Sequence, residues 1–241
     1  MKLLISITSY NERERPFLEK VLANYQSEFA DAKLQFVLSV NYPFDIPPNA
    51  MVLPKQYDGW RYTWNNKEYV AKHYHSFDFI IDSDADCHIS RINFDHYVTE
   101  ASKLSLDYVP GFMSYEEDKQ GGKHLITLQN WETRVSEKWK LNGKHYITPY
   151  NLHTPAVIVD KHRYHLAIKD GLKMTPYRWH FYTEAEMSRT ALYYHFKKVV
   201  AVDGIQSGNA LVWHTPNKYH NNPFCHCLSV ERFLSELNMY R

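Results

Sequence analysis

Apolar positions gather in short, dense runs over the first hundred residues and thin out afterwards. Leu3 to Ile7 is one such run, rich in branched side chains and followed by Thr8-Ser9-Tyr10-Asn11. It predicts a buried strand that ends in a polar turn. Helical spacing follows from Glu12 to Phe29, with Phe17, Val21, Leu22 and Tyr25 on one face and Pro16 tolerated in the first turn. Leu34 to Val40 reads as a second buried strand, closed by Asn41-Tyr42-Pro43. Strand, helix and strand at this spacing form a βαβ unit, which predicts parallel pairing.

The proline-rich stretch from Phe44 to Pro54 predicts an extended loop, and Asn65 to His75 a helix. Phe77 to Ile81 reads as a third buried strand running into Asp82-Ser83-Asp84-Ala85-Asp86, with Ile92 to Leu104 helical after it. From Tyr108 to Tyr150 the pattern is poorer and more polar, and Gly121-Gly122 marks a hairpin-like turn. Ala156 to Val159 predicts a strand, Tyr182 to Tyr194 a helix, and Val199 to Val202 a last short strand. No repeat or linker-like composition break appears. The expected fold is α/β, a mostly parallel central sheet flanked by helices, in a single domain spanning 1–241.

Composition narrows this picture. With 44% hydrophobic residues the chain can bury a sizeable core, and 28 basic against 27 acidic residues give no electrostatic case for nucleic acid. Three cysteines, Cys87, Cys225 and Cys227, make no disulfide framework and point to a reducing, cytoplasmic setting. The spacing of His220, Cys225, His226 and Cys227 fits no common structural zinc site. The N-terminal apolar run breaks at Ser6, Thr8 and Ser9, too short for a signal peptide. No stretch approaches the roughly 18 apolar residues of a membrane helix, so no transmembrane anchor is expected.

The sharpest chemical feature is the acidic cluster after the third strand. In an open parallel sheet, ligands bind at the carboxyl ends of the strands, and this strand delivers Asp82 and Asp84 there. Two carboxylates this close repel unless a cation or hydrogen-bond donors lie between them. Hard ions such as Mg²⁺ or Mn²⁺ take carboxylate and phosphate oxygens, so a metal here can bridge protein and diphosphate. A solvated acidic turn that caps the next helix is the plainer alternative.

The N-terminal half resembles the GT-A glycosyltransferases, particularly family-2-type enzymes. The resemblance rests on Ile5-Ser6-Ile7-Thr8-Ser9-Tyr10-Asn11-Glu12, a strand ending in a polar Tyr-Asn turn, and on Phe79-Ile80-Ile81-Asp82-Ser83-Asp84, a hydrophobic strand leading into a D-x-D motif. It covers residues 3–100 well and 150–215 more loosely. It implies that Thr8, Tyr10 and Asn11 lie near the nucleoside, and that Asp82, Ser83 and Asp84 lie near the ribose, metal and diphosphate. It divides the chain into a nucleotide-sugar-binding half, 1–105, and an acceptor-binding half, 106–241. Where the family has an acidic residue contacting the base at the end of the second strand, this chain has Asn41, with Asp45 a few residues on.

Sugar transfer with inversion needs a carboxylate to take the acceptor hydroxyl proton, and its transition state is oxocarbenium-like. Tyr182-Thr183-Glu184-Ala185-Glu186-Met187-Ser188 is similar to the family's base-bearing helix start and, so aligned, puts Glu184 in the base position with Glu186 beside it. Thr183 with Glu186 also reads as a capping box. His214, after a short apolar strand, resembles the late histidine that completes the metal or diphosphate site in many GT-A enzymes, and imidazole suits Mn²⁺ better than Mg²⁺. Lys67, Lys72, Arg61 and Arg178 are candidates for diphosphate contacts, and six tryptophans offer rings on which sugars stack. The implied activity is metal-dependent transfer, with inversion, from a nucleotide sugar, a UDP-sugar first, to a glycan or glycoconjugate hydroxyl, with Mn²⁺ or Mg²⁺. The alternatives are a sugar-nucleotidyltransferase, disfavoured by the lack of a glycine-rich loop after the first strand, and a non-catalytic calcium-dependent sugar-binding module.

Overall fold

A computed structural model describes residues 1–9, 11–56, 64–127, 135–149, 156–170, 196–214 and 226–238. It is mixed α/β, and the chain divides into two compact units, Met1–Arg91 with Pro155–Phe196 and Ile92–Thr154 with Lys197–Arg241. Among the described residues no helix is long and apolar enough to cross a membrane.

The first unit is built on strands β1 (Lys2–Ser9), β2 (Lys33–Val40), β3 (Ala50–Val52), β4 (Phe79–Asp84) and β11 (Ala156–Asp160). They lie in the order β11-β4-β1-β2-β3, parallel throughout except for antiparallel β11. Every β1 side chain from Leu3 to Ser9 is buried. That is expected of a parallel strand covered on both faces, and explains its unbroken apolar run. Helix α1 (Arg15–Glu28) carries Pro16 in its first turn and buries Leu18, Val21, Leu22 and Tyr25. Truncating a fully buried strand residue such as Ile5 or Leu38 to alanine costs about 2–5 kcal/mol. Helix α2 (Trp64–His73) follows, and α4 (Lys161–Lys169) starts at Asp160, whose carboxylate accepts the His162 and Arg163 amides.

Two expectations are corrected here. Ala50–Val52, inside the predicted proline-rich loop, pairs with β2 as a three-residue edge strand. The third predicted strand does not stop at Ile81 but runs through Asp84, because Ser6 and Thr8 of β1 stay in register with Asp82 and Asp84. A two-residue strand, β5 (Cys87–His88), follows. The predicted helix from Tyr182 to Tyr194 lies outside the described residues.

The second unit contains α3 (Arg91–Ala101) and, between residues 108 and 149, five strands where the sequence pattern was poor. They are β6 (Tyr108–Pro110), β7 (Met113–Glu117), β8 (Lys123–Thr127), β9 (Val135–Leu141) and β10 (Lys144–Pro149). β12 (Lys197–Ala201), α5 (Val202–Ser207), β13 (Leu211–His214), β14 (His226–Ser229) and α6 (Val230–Asn238) complete it. One sheet runs β6-β12-β10-β9, and in the other β14, β8, β7 and β13 are neighbours. The hairpin predicted at Gly121-Gly122 joins β7 to β8, with Gly121 at a φ of 82°. A second hairpin, β9–β10, turns on Asn142-Gly143, both at positive φ, as a two-residue loop between twisted strands requires. Met113, Leu125, Ile147, Val200, Leu211 and Phe233 form its main core.

Candidate functional site

The carboxyl ends of β1, β2 and β4 form one edge of the first sheet. Apolar strands there end in polar side chains that are nevertheless buried: Ser6, Thr8, Ser9, Ser39 and Asp82. Burying such groups is costly unless each finds a hydrogen-bond partner. Helix α2 supplies partners from two adjacent residues. Asn66 donates through Nδ2 to the Ile7 carbonyl at 2.8 Å and to the Thr8 hydroxyl at 3.4 Å. Its Oδ1 accepts from the Ser39 hydroxyl at 2.7 Å. Lys67 Nζ donates to Asp82 Oδ2, and Ser6 Oγ donates to Asp82 Oδ1 at 2.8 Å. Asp82 and Lys67 are therefore a buried ion pair, both nearly inaccessible to water.

Asp84, two residues on and half-buried, sits at the strand's end with its Cα in register with Thr8. Asp86 is buried, its Oδ1 within 3.6 Å of Cys87 Sγ. The Ala85 amide donates to the Thr8 carbonyl, so β1 and the chain after β4 stay together past Asp84. Ser83 lies between the two aspartates, fully buried.

The turns beyond β1 and β2 are tied to each other. The Ser9 hydroxyl contacts the Tyr42 hydroxyl at 2.7 Å and donates to Glu14 at 3.0 Å. Arg15 stacks its guanidinium 5.5 Å from the Tyr42 ring centre and donates to the Pro43 carbonyl. Burial pushes the Tyr42 phenol above its ordinary range, against the lowering effect of its Ser9 hydrogen bond. Asn11 is exposed and accepts the Arg13 amide at 3.0 Å, capping the 3₁₀ turn Glu12–Glu14. Asn41 is exposed at the end of β2.

The structure thus brings Thr8, Asn11, Asn41, Asp82, Ser83 and Asp84 to one sheet edge in one unit. His214 belongs to the second unit, where it ends β13 and pairs with Glu116 at 2.7 Å, both fully buried. Tyr10, Glu184 and Glu186 lie outside the described residues, as do Arg61 and Arg178. Trp64 is core, and Trp139 packs between Tyr108 and Tyr146, so these two rings serve the framework. Glu117 sits opposite Lys123, and Asp118 closes the hairpin by accepting the Gly122 and Gln120 amides.

Sequence reasoning missed Ser6, Ser39 and Asn66. The signal existed: a serine inside each of two apolar strands, and an Asn-Lys pair between Trp64 and Val70 on the buried face of a helix.

No protein-family model matches the chain, and no curated protein matches it. Among solved structures it is similar to a glycosyltransferase involved in the glycosylation of the major capsid of PBCV-1, at 10% identity and a TM-score of 0.41, covering 89% of this chain and 93% of that one. It is also similar to 4-diphosphocytidyl-2C-methyl-D-erythritol synthase from Anaerococcus prevotii DSM 20548, at 11% identity and a TM-score of 0.41, covering 99% of this chain and 97% of that one.

Proposed function

We propose that this protein transfers a sugar from a nucleotide-diphosphate donor, a UDP-sugar first, to an acceptor hydroxyl with the help of Mn²⁺ or Mg²⁺. The observation that carries this reading is a half-buried carboxylate, Asp84, at the carboxyl end of a parallel strand beside the polar end of β1. That is where open α/β sheets bind ligands. An oxygen donor at this point fits a hard divalent ion, which supplies charge neutralisation for a departing diphosphate.

The chain's own residues then divide the work. Asp84 holds the ion, and Asp82 fixes the strand beside it from within the sheet. Tyr10, Asn11 and Asn41 line the nucleoside side, with Thr8 and Ser83 supporting them from within the sheet. Glu184, or Glu186 beside it, takes the acceptor proton as the new bond forms, giving inversion. The ligand role of His214 and the base role of the two glutamates rest on the family resemblance alone.

The test is calorimetric titration of UDP with Mn²⁺ and with chelator, on wild type and Asp84→Asn. Bridging requires that ion and nucleotide raise each other's affinity by one factor. Wild type should show that coupling and Asp84→Asn should lose it. Equal UDP affinity with and without the ion removes the bridging site, and binding of free glycan with Ca²⁺ but no nucleotide replaces the enzyme with a sugar-binding module.

A further inference from the structure

Lys67 changes what a D-x-D at this edge can do. Its ammonium sits on Asp82 Oδ2 in a site nearly closed to water, while Ser6 holds Oδ1. Such a carboxylate has no net charge to offer a second cation. An ion at Asp82 would have to come within a few ångströms of the ammonium, where like charges in a poorly solvated site repel strongly. Lys67 also adjoins Asn66, which holds the Thr8 hydroxyl, the Ile7 carbonyl and the Ser39 hydroxyl. The ion pair therefore clamps the first turn of α2 onto the ends of β1, β2 and β4.

We infer that Lys67 is a built-in counter-ion that takes Asp82 out of metal binding and makes it a positioning residue. Asp84 is left as the carboxylate of the motif that meets the ion. The second half of this inference rests on the metal-dependent reading above; the first half stands on the ion pair itself.

Four proteins decide it: Asp82→Asn, Asp84→Asn, Lys67→Met, and Lys67→Met combined with Asp82→Leu. Each is measured for melting temperature and for Mn²⁺ affinity in the presence of UDP. Asp82→Asn and Lys67→Met each break the buried ion pair and should melt roughly 6–15 °C below wild type. The double variant replaces the pair by apolar groups of similar size and should recover most of that loss. Its Mn²⁺ affinity should stay within about threefold of wild type, whereas Asp84→Asn should lose about 30-fold or more with little change in melting. A double variant that is folded but has lost Mn²⁺ makes Asp82 a ligand and overturns the inference. So does an Asp82→Asn protein that melts like wild type. Wild type that binds no Mn²⁺ with UDP overturns the metal-dependent reading instead, and the melting pattern then still decides the role of Lys67.

Discussion

Asp82 in the first unit and Glu116 in the second are both buried carboxylates in ion-pair geometry near the end of a strand, and their partners differ in kind. Asp82 in the first unit meets Lys67, delivered by a helix 15 residues away in sequence. Glu116 in the second meets His214, 98 residues away, on the neighbouring parallel strand β13. A lysine ammonium brings a full charge into the sheet. An imidazole forms an ion pair only if it is protonated, and otherwise gives a neutral N–H to the carboxylate. In this geometry it is Nδ1 that faces the Glu116 carboxylate. The first pair is suited to locking a helix onto a sheet edge, the second to orienting one ring.

The largest expected effect tests that difference directly. Neutralising the acid with an isosteric amide should cost about 3–5 kcal/mol for Asp82→Asn, because it breaks a buried ion pair. For Glu116→Gln it should cost about 1–2 kcal/mol, because the amide oxygen still accepts the imidazole N–H. Urea unfolding at neutral pH gives both numbers. Equal losses would mean that the Glu116–His214 pair is as ionic as the other, and the contrast would be gone.

The same contrast explains what the sequence made legible. Leu3 to Ile7 and Leu34 to Val40 declared themselves because strands buried on both faces need continuous apolar runs, and the intervening helix shows its own period. The end of β4 was misplaced because Asp82 and Asp84 look like a turn until their partners are known, and those partners are Lys67 and the register with β1. In the second unit, β9 does alternate, with Glu137, Trp139 and Leu141 on one face. The alternation was too mixed in polarity to stand out, and only the Gly121-Gly122 turn was read. α4 was missed despite its Asp160 cap, since His162, Arg163 and His165 dilute its apolar face. A pairing such as Glu116 with His214 depends on two strands meeting, and nothing local announces it. As for the site, the strand-end residues were legible from the resemblance, while the network that satisfies them came from the structure.

A mid-sized effect separates the units by pH. Burial pushes the His96 imidazole below its ordinary range, with Glu100 and Asp203 pulling it back and Lys144 and Lys103 adding to the drop. The folded state therefore binds fewer protons here than the unfolded chain, so this stability is full above about pH 6.5 and declines as pH falls below it. Burial alone would raise the neighbouring Glu100 carboxyl. Hydrogen bonds from Lys144 and Tyr146, with the charges of Lys144 and Lys103, outweigh it and hold the group low. Its contribution is present above the ordinary glutamate range of about 4.3 and is lost as pH falls through the folded value. Unfolding midpoints measured downward from neutral pH should fall in two stages. His96→Gln should remove the upper stage and spare the lower. An unchanged upper stage would assign it to His88 of the first unit, whose imidazole burial also depresses.

The smallest effect concerns Asn11, where fold and function compete for one exposed side chain at the sheet edge that Lys67 and Asp82 hold in place. Its carbonyl oxygen caps the 3₁₀ turn after β1, and its resemblance-based role is contact with the nucleoside. Capping residues lost to alanine typically cost about 0.5–1 kcal/mol, and serine or aspartate keeps the cap. Asn11→Ala should therefore lower stability by that amount, and Asn11→Ser should restore it. UDP affinity distinguishes the two roles because it need not follow stability. If the side chain contacts the nucleoside, Asn11→Ser binds UDP several-fold more weakly although it melts like wild type. If affinity tracks melting across alanine, serine and aspartate, Asn11 only shapes the turn. Nucleoside recognition at this edge would then fall to Asn41 and Tyr10.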